Sequence, residues 1–238
     1  MMKLDFKYDL EKEFTNLWCG KGSLNHSGAK STEIEQEMID QGIDLEDKPA
    51  VLGFFDHKMK SSGINIETKI ESLSKEWQKI SVEAETRFKK LFNTDHDLGE
   101  VSAYLTFAKR CGYNTDQRFF FVSVNRNHPN NTAIHELLHF YTHLLYEKRF
   151  KDQGLPYQDF NDFKEALTFL INTDFQDLLD DVDLGYDKQR ELRKFLQEKW
   201  PSCENVEDLA HIMIEKFQSE QNEIASANSS DIGDKYEN

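Results

Sequence analysis

Three of the chain's eight histidines fall in one stretch of thirteen residues, NTAIHELLHFYTH, Asn131 to His143, and they are spaced four apart. Residues four apart on a helix lie on one face, about one 6 Å turn from each other. His135 and His139 can therefore aim imidazole nitrogens at one zinc ion. Glu136 lies about 100° round the helix from His135. It misses the ion but reaches a water bound to it. That is the placement of a general base: the carboxylate takes the water's proton while zinc lowers its pKa and polarises a carbonyl. HExxH on a helix is thus a motif with a mechanism. Leu137 and Leu138, between the two histidines, are apolar, as suits a buried helix rather than a solvated histidine face.

A catalytic zinc needs a third protein ligand and an open position. Helix geometry speaks against His143. It stands about 12 Å along the axis from His135, and no glycine or proline between His139 and His143 breaks the helix. His143 is expected as a core or supporting histidine beside the site, or paired with Glu147 one turn further on. Glu147 fails as a ligand on the same grounds. The missing ligand should come from another helix. In DFKEALTFLINTDF, 162–175, the residues Phe163, Leu167, Leu170 and Ile171 form the main apolar face. Glu165, Thr168 and Asn172 group on another face at spacings of three and four. On an isolated helix such a strip is a solvated face. Here Ala166 and Phe169 border it and keep it narrow. Asp174 and Asp177 are alternative ligands, and Asn172 or Asp174 could orient a ligand histidine.

The elements that must position these residues are partly legible. From Ile66 to Leu91 apolar residues recur every three or four positions, which predicts one long amphipathic helix. Aromatic and β-branched runs at 101–109 and 118–125, separated by turn residues, predict a β-hairpin. NHPNN, 127–131, is a loop with capping candidates, and the motif helix begins near Thr132. Asn161 is the expected cap of a long helix from Asp162 to Asp180. Leu184-Gly185-Tyr186 reads as a turn, and Asp187 as the cap of a helix that Pro201 stops at Trp200. A last helix is expected over 206–221. Toward the N-terminus a short helix at 10–18 and a loop around Gly20, Gly22 and Gly28 are expected, with VLGFF, 51–55, as strand or buried turn.

HELLH followed one helix and loop later by EALTFL resembles the gluzincin branch of the zincin metallopeptidases. The resemblance places the third ligand at the start of this segment, here Glu165 to Leu170. The resemblance covers about 75 residues, from the hairpin to Phe175. It implies one zinc per chain on His135, His139 and Glu165, with Glu136 as base. It implies a peptide or protein substrate that pairs with an edge strand, for which 118–125 is the candidate. It also implies a Tyr or His stabilising the oxyanion, with Tyr186 and His211 as candidates. His143, Thr168 and Asn172 are the supporting set. The sequence contains no NExxSD, so contacts of that kind are not carried over.

The expected fold is α+β, mostly helical and zincin-like, with a small antiparallel sheet or hairpin before the HExxH helix. One domain is expected over 1–221. It comprises an N-terminal part, 1–64, the long helix, 65–92, the metal-site core, 100–182, and C-terminal helices, 187–221. The polar stretch 222–238 is expected to be a disordered tail. The formal charge of −15 speaks against nucleic acid or an anionic membrane surface as partner. No apolar run follows the lysines of MMKLDFKYDLEKEF, and none elsewhere approaches a membrane span. Cys19, Cys111 and Cys203 are far apart and lack a CxxC, which fits reduced thiols in a cytoplasmic protein. Three functions compete: a cytoplasmic zinc peptidase, a non-catalytic zinc- or peptide-binding regulatory module of the same fold, and a structural protein assembled through the long helix.

Overall fold

The computed structural model describes residues 2–18, 33–108 and 112–233. Cys19, Cys111 and the stretch around Gly20, Gly22 and Gly28 lie outside them. The chain is mostly helical with a small four-stranded mixed sheet. It groups into two compact units.

The first unit comprises 1–85, 97–137 and 177–181. It holds strands β1 (Lys3–Lys7), β2 (Glu100–Thr106), β3 (Tyr113–Asn114) and β4 (Phe119–Ser123) in the order β1-β2-β4-β3. β1 runs parallel to β2, and β2 parallel to β4, with Ser102 opposite Phe119 and Thr106 opposite Ser123. The expected hairpin between 101–109 and 118–125 is therefore corrected. Both segments are strands, but they lie side by side in parallel, and the antiparallel partner of β4 is the short β3. The turn between β3 and β4 uses Arg118 at φ 52 and a hydrogen bond from Gln117 N to Asn114 Oδ1 of 2.8 Å. β4 reads FFFVS with its first four residues buried, the near-continuous apolar run of an inner strand. It is thus not an edge strand; among the described residues the edges are β1 and β3.

Helices α1 (Leu10–Trp18), α2 (Glu33–Asp40) and α3 (Lys48–Ser61) belong to the same unit. The VLGFF run lies inside α3 rather than in a strand or turn. Its start is set by Asp47, whose side chain accepts a hydrogen bond from Ala50 N, and by Pro49 in the first turn. The predicted long helix is α4 (Ile66–Leu91), burying Leu73, Trp77, Ala84, Phe88 and Leu91.

The second unit comprises 86–96, 138–176 and 182–238. The motif helix α5 (Asn130–Thr142) continues through a π-helical turn, His143–Glu147, into α6 (Lys148–Asp152). The helix expected from Asp162 to Asp180 is instead two: α7 (Tyr157–Ala166) and α8 (Phe169–Asp174). Asn161 lies inside α7 rather than capping it; Pro156 precedes the first turn. α9 (Arg190–Lys199) follows a 3-10 turn at Asp187–Gln189. α10 (Val206–Gly233) extends beyond residue 221, into the stretch read as a disordered tail. Stacked rings form this unit's core: Tyr141 lies 5.2 Å from Phe88 and 5.3 Å from Phe92, and Phe150 lies 5.1 Å from Phe163.

Candidate metal centre

α5 starts where Pro129 ends the loop; its carbonyl accepts the first helical hydrogen bond, from Ala133 N at 2.8 Å. The asparagines of NHPNN do not cap the helix from within. They reach sideways, Asn130 Nδ2 to Leu178 O at 3.2 Å and Asn131 Oδ1 to Asp180 N at 3.0 Å. Ala133, Ile134, Leu137, Leu138 and Tyr141 are all fully buried. A helix packed this closely carries its polar residues inward with it. His139 and Glu136 are buried and His135 is half-buried.

The facing carboxylate comes from the end of α7. Phe163 anchors that helix against Phe150 and Tyr146, and Phe160 lies edge-on to His143 at 4.9 Å. The run from Phe163 to Ile171 is buried throughout, Glu165 and Thr168 included. A solvated polar face at Glu165 and Thr168 is therefore overturned. The helix breaks just after Ala166, the residue that follows Glu165. Thr168 Oγ1 donates to Glu165 O at 2.9 Å, and the backbone tightens into three-residue bonds, Leu170 N to Leu167 O at 2.9 Å. A threonine bonding back to the preceding turn competes with the regular ladder in this way.

His139 Nε2 and Glu165 Oε2 stand 3.4 Å apart, both side chains buried. With His135 from the same helix they form the one group of three His, Cys, Asp or Glu ligand atoms found among the described residues, all within 4.8 Å of one another. Two atoms on a tetrahedral zinc with ~2.0–2.1 Å bonds are roughly 3.4 Å apart. Two imidazoles and one carboxylate are also the donor set of an open catalytic zinc site. The residues present fit the ion by type, and the separation of His139 and Glu165 fits it by spacing. Asp174 and Asp177 are not part of the group.

Lys164, which the sequence reading passed over, is buried at the same place. Its Nζ lies 2.6 Å from Glu165 Oε1. The signal was a Lys-Glu pair inside FKEALTFLI, an otherwise apolar run. Arg193 and Asp183 were passed over too. Arg193 Nη1 donates to Thr168 Oγ1 and, at 3.2 Å, to Asp183 Oδ1, while Nη2 reaches Asp183 O at 2.8 Å. Asn172 closes that network through two bonds to the Asp183 backbone, of 2.7 and 2.8 Å. Thr168 thus supports the backbone of Glu165, and Asn172 supports the loop that holds Arg193.

His143 Nδ1 is 2.9 Å from Glu147 Oε2, the pair its spacing allows. Burial holds its imidazole below the ordinary value, and the hydrogen bond to Glu147 pulls the other way. His211 is exposed on α10, with both ring nitrogens within 2.8 Å of Arg149 Nη2 and Nε2 3.6 Å from Glu207. Tyr186 is exposed on the loop before α9. Cys203 is half-buried and free. Among the described residues no helix is long and apolar enough to cross a membrane. No family model, curated protein or solved structure matches the chain.

Proposed function

We propose that the chain is a zinc-dependent peptidase of the gluzincin kind, with His135, His139 and Glu165 as ligands and Glu136 as general base. The observation that carries this reading is the approach of Glu165 Oε2 to His139 Nε2, from a different helix, next to an HExxH glutamate that is itself buried. When bound, the ion supplies a Lewis acid that polarises the scissile carbonyl and acidifies a water. Glu136 takes the proton of the attacking water and returns it to the departing amine as the C–N bond breaks. The helix fixes Glu136 relative to the two histidines, so the base is oriented by the same backbone that orients the ligands.

The test is metal analysis of the purified full-length chain, followed by hydrolysis of a mixed library of quenched fluorescent peptides. Stoichiometric zinc and cleavage are expected. Glu136→Gln should keep the zinc and lose hydrolysis by a factor of about 100 or more. Zinc binding with no cleavage of any peptide would favour the non-catalytic binding module. No zinc would favour the structural reading.

A further inference from the structure

We propose that Lys164 is a positioning residue that restricts Glu165 to a single ligating oxygen and so keeps a coordination position open. This inference rests on the metal-site reading above. The two oxygens of Glu165 are divided between two partners. Oε1 is 2.6 Å from Lys164 Nζ, and Oε2 is 3.4 Å from His139 Nε2. Both side chains of the pair are almost wholly buried, at 2% and 7% exposure. Neighbouring residues on a helix diverge by about 100° and do not ordinarily face each other. The contact therefore needs the lysine stem to curl round the helix, and the buried packing at the end of α7 holds it there. A buried ammonium is tolerated only beside an anion, so the pair keeps its geometry.

The consequence for an ion follows from how carboxylates bind. A carboxylate can offer one oxygen or two, and zinc imposes little preference of its own between four and five ligands. With Oε1 engaged by Lys164, the protein supplies two nitrogens and one oxygen. Without the ammonium, Oε1 would be drawn to the ion as a further ligand and crowd the position that substrate or water needs. Removing the ammonium would also remove a positive charge from beside a dication. Lys164 thus weakens the grip on the metal while keeping the site open. A merely structural lysine would act in the opposite sense, because its loss would loosen the ligand.

The experiment uses the full-length chain loaded with zinc or with cobalt(II) in its place. Wild type is measured first, and the absence of stoichiometric metal there would remove the underlying reading before any substitution is made. Lys164→Met is expected to bind zinc about tenfold more tightly, by competition with a chromophoric chelator. Its cobalt visible bands should weaken, as coordination rises from four to five. Lys164→Arg, which restores a cationic donor, should return the spectrum toward wild type. Unchanged cobalt bands in the Met variant, or weaker zinc binding, would overturn the proposal. If the Met variant does not fold, X-ray absorption on zinc-loaded wild type decides. One Glu165 oxygen in the shell supports the proposal and two overturn it.

Discussion

Glu165 Oε2 stands 3.4 Å from His139 Nε2, the one on α7 and the other on α5. The separation is long for a hydrogen bond between such groups and suits two atoms that share an ion. Glu165→Gln keeps the shape of the side chain but replaces a carboxylate by an amide, a poor zinc ligand. Second-shell losses alone cost about 10- to 100-fold in affinity, so the loss of a ligand should cost at least about 100-fold. Chelator competition at fixed pH measures it. An affinity equal to wild type would refute the ligand set.

Gly185 and Arg193 fit together with no room to spare. Gly185 sits at φ 64, and a Cβ added there would lie 2.6 Å from Arg193 Nη1. Gly185→Ala therefore meets two penalties, a left-handed backbone and a displaced guanidinium. Stability should fall by about 1–3 kcal/mol, and the Thr168 hydroxyl should lose its bond from Arg193. Thermal unfolding of the metal-free protein reads the first effect. Arg193→Met should show a comparable loss, and Gly185→Ala added to Arg193→Met should cost less than the sum, because the clash is gone.

Glu13 makes stability depend on pH. Its carboxylate is fully buried, accepting from Thr106 Oγ1 at 2.7 Å and from Phe107 N at 2.9 Å. Burial pushes its pKa up to about 7, against the pull of those two bonds. The folded state therefore holds a proton that the unfolded state has released. The stabilisation is fully present below the ordinary carboxylate range near pH 4.5 and is lost as pH rises to about 7. The drop is at most about 3 kcal/mol. Denaturant titrations at pH 5 and pH 8 should show it, and Glu13→Gln should flatten that part of the profile. An equal pH slope in the variant would show that Glu13 is not the group responsible.

What the sequence could show depended on the length scale of the interaction. The helix at Ile66–Leu91 and the motif helix were legible because an apolar stripe at helical spacing is a local signal. The candidate pair His135 and His139 was legible because spacing within a helix is fixed by 3.6 residues per turn. The sheet was misread because LDF, within β1, lies some hundred residues from its partner β2, and nothing local marks a strand as parallel. VLGFF was misread because a short apolar run has no period of its own; Asp47 and Pro49 held the answer. The break after Ala166 was hidden because Thr168 acts through one hydroxyl bond, not through composition. Lys164 was hidden because lysines are almost always solvated, and its burial depends on neighbours from other elements.

The π-helical turn at His143–Glu147 makes the helix running from Asn130 to Asp152 one residue longer than its turns need. The surplus falls after His139 and before Phe150, which stacks on Phe163. Leu144, within it, is half exposed. Deleting Leu144 should let the helix close into regular turns with both flanks still in phase, so metal binding and the Phe150 stack survive. Deleting Leu137 or Leu138 would swing His135 away from His139 by about 100°. The same helix thus tolerates a frame error in one turn and not in the next, and paired single-residue deletions would map where its phase matters.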